Sequence, residues 1–303
     1  EFENLNIHIV FPSTWMQKLI KESSIMNSLT NLHLIPFGVD SNFFSNRIGK
    51  EVARKQFGIE STDFVLFFRS QKEFKGTEYI LKALSEMQSE RKISIITCGE
   101  KGLLRKLEKQ YNIIELGVVD SETLIYCYNS CDIFLMPSVG ESFGMMAIEA
   151  MSCSKPVVIF NNTALPYVTH APDCGYLVKN KDYRDLKKAI NFFISHPKEI
   201  EKRGQLGRQI VLKEYALDKY YDNIISLYKE VAKRKMSKTK MINEKVDINS
   251  MINLKIKLNK LSKQLFNDSK AYDIMKFDIQ SNYEYNEKIH YSNLEIQKEI
   301  AKY

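Results

Sequence analysis

Asp132-Ile133-Phe134-Leu135-Met136-Pro137-Ser138-Val139-Gly140-Glu141-Ser142-Phe143-Gly144-Met145-Met146-Ala147-Ile148-Glu149-Ala150-Met151 is the stretch on which the fold turns. Its first five residues form an apolar run that reads as a buried strand and stops at a proline. A polar turn follows, and a helix opens with Glu141 at its mouth and Glu149 further along. A helix that begins at the carboxyl end of a parallel strand offers unpaired N–H groups and a partial positive charge, which suit phosphate or hydroxyl oxygens. A carboxylate deeper in such a helix is suited to grip a diol such as ribose. The combination points to a nucleotide-linked sugar.

Two glutamates eight residues apart also invite comparison with the acid and base of a glycoside hydrolase, whose carboxyl groups sit roughly 5 to 9.5 Å apart. Eight residues of helix rise about 12 Å. That spacing favours contact with two parts of one extended ligand over flanking a single bond. The plainer reading leaves Glu141 as a first-turn charge and Glu149 as an ordinary exposed helix residue.

Outward from this stretch, short β-rich runs alternate with helical segments from Leu5 to about Gly207. The strand candidates are Asn6 to Phe11, Leu32 to Pro36, Phe64 to Phe68, Ile93 to Cys98, Ile113 to Leu116, Asp132 to Met136 and Val157 to Phe160. Amphipathic helices separate them, such as Gly76 to Met87 with Ile80, Leu81, Leu84 and Met87 on one face. This alternation predicts an α/β fold, a Rossmann-like parallel sheet with helices on both faces. Ligands of such sheets bind beyond the carboxyl ends of the strands, so the loops after Phe68, Cys98, Leu116, Met136 and Phe160 are the informative ones. Leu186 to Tyr228 reads as helices broken near Pro197 and Ala216.

Beyond about Lys235 the chain has no arginine and is rich in Lys, Asn, Ile, Tyr and Glu. Met251, Leu254, Leu258, Leu261, Leu265, Tyr272, Met275 and Ile279 keep a 3-4 spacing, which predicts a helical hairpin or short coiled coil, or a stripe packed on its own domain. The cluster Lys233-Arg234-Lys235 with Lys238 and Lys240 reads as a solvated linker, with membrane-surface attraction as the minority reading.

At 303 residues and 44% hydrophobic content the chain can bury a sizeable core. No run approaches the roughly 20 apolar residues of a membrane span, and no signal-peptide pattern opens the sequence, so a cytoplasmic setting is expected, or a peripheral one at the inner membrane face. The first residue is Glu1, which reads as a processed, truncated or recombinant piece. Five cysteines (Cys98, Cys127, Cys131, Cys153, Cys174) lie mostly in apolar segments without metal-ligand spacing, so buried free thiols are expected. The net charge of +7 suits an anionic substrate or a membrane surface. Basic and aromatic residues are not interleaved as a nucleic-acid surface requires.

The loop after Phe68 runs Arg69-Ser70-Gln71-Lys72-Glu73-Phe74-Lys75-Gly76. A forked guanidinium and a point-charge ammonium flanking a site suit a pyrophosphate. They act most strongly as charge grows on a departing nucleoside diphosphate.

These features together resemble the family 4 (group 1) glycosyltransferases: Ile35-Pro36-Phe37-Gly38-Val39-Asp40, Arg69 with Lys75-Gly76, Cys98-Gly99-Glu100, Leu116-Gly117-Val118-Val119, and Gly140-Glu141-Ser142-Phe143-Gly144 through Glu149-Ala150-Met151. The resemblance spans about Ile7 to Tyr228 and implies the C-terminal, donor-binding half of a two-domain GT-B fold. It implies metal-independent transfer with retention of anomeric configuration and no cofactor. It gives Arg69 and Lys75 the donor diphosphate, Glu141 the hydroxyls of the transferred sugar, and Glu149 the ribose. The backbone around Ser142, Phe143, Gly144 and Met145 would meet sugar and phosphate oxygens, with the base near Gly99, Glu100 and Val118.

The sequence departs from the family in places. Tyr167 stands where the family has an acid, Phe68 where it has glycine before the arginine, and no proline follows Gly99-Glu100. None of the five histidines falls on a family motif.

On the same resemblance residues 1–36 correspond to the end of an N-terminal acceptor domain, 37–235 to the donor domain, and 236–303 to an appended helical tail. The acceptor, a glycan, a lipid-linked sugar or a small molecule, would be chosen by residues outside this segment. Two alternatives stand beside this reading. One is the donor-binding subunit of a split transferase, with a partner chain or self-association through 251–279. The other is a non-catalytic interaction module on a degenerate transferase fold.

Overall fold

The structure, a computed structural model, describes residues 7–238. Two compact units divide the chain, Glu1–Ile224 and Ile225–Tyr303, and the described part of the second is helical. The expected tail stripe over 251–279 lies outside the described residues.

The first unit opens with a small parallel pair, β1 (Ile9–Phe11) and β2 (Leu32–Leu34), joined through helix α1 (Thr14–Glu22). After α2 (Lys50–Gln56) come β3 (Phe64–Ser70), α3 (Thr77–Ser85), β4 (Ile93–Gly99), β5 (Asn112–Gly117), α4 (Ser121–Ser130), β6 (Ile133–Met136), α5 (Met145–Ser152), β7 (Val157–Phe160), α6 (Leu165–Thr169) and β8 (Gly175–Val178). Helices α7 (Tyr183–Ser195), α8 (Pro197–Glu214) and α9 (Leu217–Lys238) follow. Strands β3 to β8 form one parallel sheet in the order β5-β4-β3-β6-β7-β8.

The unbroken apolar composition of these strands is what a sheet covered on both faces requires. Val65, Phe67, Phe134, Val157 and Ile159 pack with Ile125, Tyr128, Ile148 and Met151 on one face. Phe64, Leu66, Phe68, Ile133, Leu135, Val158 and Phe160 pack with Ile80, Leu84, Leu186, Ile190 and Phe193 on the other. The expected face of α3 is buried at Ile80, Leu84 and Met87, although the helix itself ends at Ser85.

Near the amino ends of the central strands sits a buried ionic staple. Arg54, 2% exposed, donates to the carbonyls of Ser130, Ser61 and Asp63 and pairs with Asp132 at 2.9 Å. Asp132 also accepts from the Val65 N–H at 2.7 Å and pairs with Lys50. All three guanidinium nitrogens donate, which is the condition for tolerating a buried charge.

Three expectations need correction. Strand β8 was not foreseen: it is a four-residue run whose Gly175 lets the backbone approach Val157, where an added Cβ would lie 1.8 Å from a carbonyl oxygen. The helix carrying Glu149 begins at Met145, so Glu141 lies in the preceding loop; Gly144, at φ +103°, forms the left-handed cap that delays the helix start. The basic run Lys233-Arg234-Lys235 stands within helix α9, because no glycine or proline interrupts the sequence there.

Candidate functional site

In the strand order β5-β4-β3-β6-β7-β8 the chain winds outward in one direction from β3 and in the other from β6. The crevice for ligands in such a sheet opens beyond the carboxyl ends of the two strands where the direction reverses. From β3 comes the loop 71–76, and from β6 the loop 137–144.

These loops touch. Gly76, at φ +70°, packs so tightly that an added Cβ would lie 1.9 Å from the Pro137 carbonyl oxygen. The Val139 N–H donates to the Phe74 carbonyl at 2.8 Å, and Thr77 Oγ1 accepts from the Gln71 N–H at 2.9 Å, closing the first loop on itself. The result is that Lys75 and Glu141, 66 residues apart, meet in an ion pair at 3.0 Å while both stay mostly covered. The sequence reading named both residues without foreseeing that they pair.

Glu141 is followed by Ser142, which is exposed, and Phe143, which is buried against Phe37 and Tyr215. The N–H groups of Phe143, Gly144 and Met145 have no acceptor among the described residues. They are the orphan donors of a helix start, carrying the positive end of the helix dipole. The loop is held from two sides, by the Ala164 N–H donating to the Glu141 carbonyl at 3.3 Å and by Ser13 Oγ donating to the Ser142 carbonyl at 2.8 Å.

Glu149 is not the exposed helix residue of the plainer reading. It is 2% exposed, and Tyr128 Oη donates to its Oε2 at 2.7 Å. Burial and the Glu149 carboxylate push the Tyr128 hydroxyl well above its ordinary range, so it stays a donor. Arg69, at the end of β3 and half-buried, lies beside the same spot: burial pushes the neighbouring Cys98 thiol up to about 12, the Arg69 guanidinium pulls it down and the Glu149 carboxylate pushes it up. Arg69 and Glu149 therefore both lie near Cys98, at the carboxyl end of β4.

The expected base-contact residues occupy the next loops outward. Gly99, at φ +104°, crosses the Ser70 carbonyl so closely that a Cβ would lie 2.4 Å from it. Glu100 turns back, accepting from the Lys72 N–H at 2.9 Å. Val118 stands 87% exposed after β5. Asn162, in the loop where the sequence departs from the family pattern, donates to the Val139 carbonyl at 3.3 Å, whereas Tyr167 points outward at 59% exposure.

The description "Glycosyl transferases group 1" matches residues 49–210, more than half of the chain. The chain belongs to the group 1 glycosyltransferases.

Within that family it is 28% identical over 218 residues to the MMP alpha-(1->4)-mannosyltransferase of Mycolicibacterium hassiacum, covering 67% of this chain and 49% of the relative. It is 27% identical over 205 residues to the D-inositol 3-phosphate glycosyltransferase of Corynebacterium aurimucosum, covering 62% and 48%. The chain thus spans about half the length of the curated relatives it matches. Among solved structures, the sucrose-phosphate synthase of Thermosynechococcus elongatus superposes with a TM-score of 0.68 at 20% identity, covering 77% of this chain and 60% of that one. Anabaena HepE, solved with UDP and glucose, gives 0.64 at 18% identity and covers 76% and 65%. The C-terminal domain of a group 1 glycosyltransferase (LpcC) from Francisella tularensis gives 0.53 at 25% identity, covering 59% of this chain and all of that domain. These likenesses establish the GT-B half-fold that the motifs implied.

The sequence reading missed Tyr128 and Ser13. Tyr128 looks like any core aromatic on an amphipathic helix. Ser13 carried only the signal of a helix N-cap, a role it fills by accepting from the Met16 N–H.

Proposed function

We propose that this chain is the donor-binding half of a glycosyltransferase that moves a sugar from a nucleoside diphosphate to a hydroxyl acceptor. The observation that carries the reading is the Lys75–Glu141 pair at 3.0 Å, beside the open amides of Phe143, Gly144 and Met145. A cation for a phosphate, a carboxylate for sugar hydroxyls and unpaired N–H groups for anionic oxygens converge on one crevice.

In this reading Arg69 and Lys75 neutralise the diphosphate as the bond between the anomeric carbon and the phosphate oxygen breaks. Glu141 holds hydroxyls of the transferred sugar, Glu149 the ribose, and the base lies near Gly99, Glu100 and Val118. The acceptor hydroxyl attacks from the face the diphosphate leaves, and its proton passes to the departing phosphate oxygen, so configuration is retained. Charge compensation rests on Arg69, Lys75 and the helix start, with no metal taking part. The names of the relatives, which include a mannosyltransferase and a protein bound to UDP and glucose, support a nucleotide sugar as donor.

A thermal-shift titration with UDP, GDP, ADP and their common sugar conjugates tests the reading. Ligand at about 100 times its dissociation constant stabilises by about 2.7 kcal/mol, which raises the midpoint by roughly 5 to 10 °C for a domain of this size. One nucleotide should give that shift and Glu149→Ala should abolish it; no shift with any nucleotide overturns the reading.

The split-enzyme alternative draws on the two-stranded β1-β2 sheet, whose Val10 and Leu34 are 41% and 42% exposed. In that reading a separate polypeptide supplies the acceptor side.

A further inference from the structure

Tyr128 is fully enclosed on α4, its ring in edge contact with Phe44, Phe67 and Phe134 at centroid distances of 6.0, 5.2 and 5.6 Å. A phenylalanine would fill this nest equally well. The hydroxyl adds only a polar group that is costly to bury unless it is hydrogen-bonded. Its partner is the Glu149 carboxylate, itself 2% exposed, at 2.7 Å.

We propose that Tyr128 is a positioning residue for donor recognition, which fixes the plane of the Glu149 carboxylate so that it meets the ribose hydroxyls. The inference rests on the assignment of Glu149 to the ribose. A carboxylate on a glutamate side chain rotates about a soft terminal torsion. Anchoring one oxygen to a rigid phenol sets that torsion before ligand arrives and lowers the ordering cost of binding. The donor is well chosen for this, because an enclosed tyrosine ring has one orientation and its hydroxyl, held protonated by burial and by the facing carboxylate, cannot repel it. The groups around the pair include Cys98 of β4 and Cys153, the C-cap of α5, both enclosed thiols, with Arg69 close enough to Cys98 to pull its thiol down.

The test compares a ribonucleotide with the same nucleotide lacking both ribose hydroxyls. Wild-type chain, Tyr128→Phe, Glu149→Gln and the double variant are titrated calorimetrically with UDP, GDP and ADP and with their 2′,3′-dideoxy forms. Wild type should prefer the ribonucleotide. Tyr128→Phe should weaken the ribonucleotide about tenfold, the range of a hydrogen bond to a charged group, and leave the dideoxy form unchanged. Added to Glu149→Gln, it should do nothing further. If Tyr128→Phe keeps the wild-type preference while Glu149→Gln loses it, Tyr128 only packs and the proposal falls, with the ribose assignment intact. Equal weakening of both nucleotide forms also overturns it. A wild type without preference removes the ribose assignment, and the proposal with it.

Discussion

Ser13 Oγ donates a 2.8 Å hydrogen bond to the carbonyl of Ser142, across 129 residues of sequence. The same hydroxyl accepts from the Met16 N–H as the N-cap of α1. One buried side chain thus ties the first helix of the chain to the loop between Glu141 and the start of α5. Ser13→Ala removes both bonds. A lost cap costs about 1 kcal/mol and a lost buried hydrogen bond about as much again. Denaturant unfolding should show a loss of about 2 kcal/mol, and amide exchange should quicken at 140–144. Ser13→Thr should retain most of both.

Gly76 is a backbone requirement of the site. Any side chain there meets the Pro137 carbonyl oxygen at 1.9 Å and must also adopt φ +70°. Gly76→Ala should destabilise by about 2 to 4 kcal/mol, among the larger effects of single substitutions, and should abolish nucleotide affinity in the fraction that still folds. Equilibrium urea unfolding with parallel calorimetry measures both.

Lys75 and Glu141 should separate by ligand. Lys75→Met should weaken a nucleoside diphosphate about tenfold or more, as expected for loss of a charge-assisted bond, and flatten the salt dependence of binding. Glu141→Gln should leave the bare diphosphate nearly unchanged and weaken the nucleotide sugar, since its proposed partners are sugar hydroxyls. Equal effects of Glu141→Gln on both ligands would refute that division of labour.

Arg54 gives a contrast far from the crevice. Removing one member of a buried ion pair leaves an uncompensated charge and costs about 3 to 5 kcal/mol. Asp132 keeps its pairing with Lys50, so Arg54→Met should lower the unfolding free energy by about 3 kcal/mol, the lower end of that range. Affinity per folded molecule should stay at the wild-type value.

All five cysteines are buried and free. Burial raises their thiols, Cys98 and Cys131 to about 12 and Cys174 to about 11 from an ordinary 9.0. In the unfolded chain they ionise near the ordinary value, so the folded state binds more protons above about pH 9. Their contribution to stability is full below that pH and is lost as pH rises through the raised values. Lys155, lowered by burial, works in the opposite sense, as a single group against five. Urea unfolding midpoints should fall between pH 9 and 11, and a thiol reagent should titrate the cysteines at neutral pH only after unfolding.

Much of this was legible in the amino-acid sequence, for physical reasons that also mark its limits. Buried parallel strands such as Phe64–Ser70 and Ile93–Gly99 are long apolar runs, and their ends point at the site. Gly175–Val178 escaped because four residues carry too little pattern, and its decisive feature is a close backbone approach. Lys75 and Glu141 could be named from their place after strand ends. Their pairing could not, since it depends on Gly76 bringing two loops into contact. Tyr128 was hidden because a hydroxyl at a core position leaves no periodic trace.

The reversal of strand order between β3 and β6 also divides what substitution can reach. The loops 71–76 and 137–144 hang from two neighbouring strands at the middle of the sheet, where Gly76 and Pro137 leave no room for a side chain. Val118, beyond the outermost strand, is 87% exposed among the described residues. On the proposed reading, contact with the base can therefore change while the grip on phosphate stays fixed. A laboratory library meant to change the nucleotide belongs at 118 and its neighbours, with residues 74–77 and 137–144 left untouched.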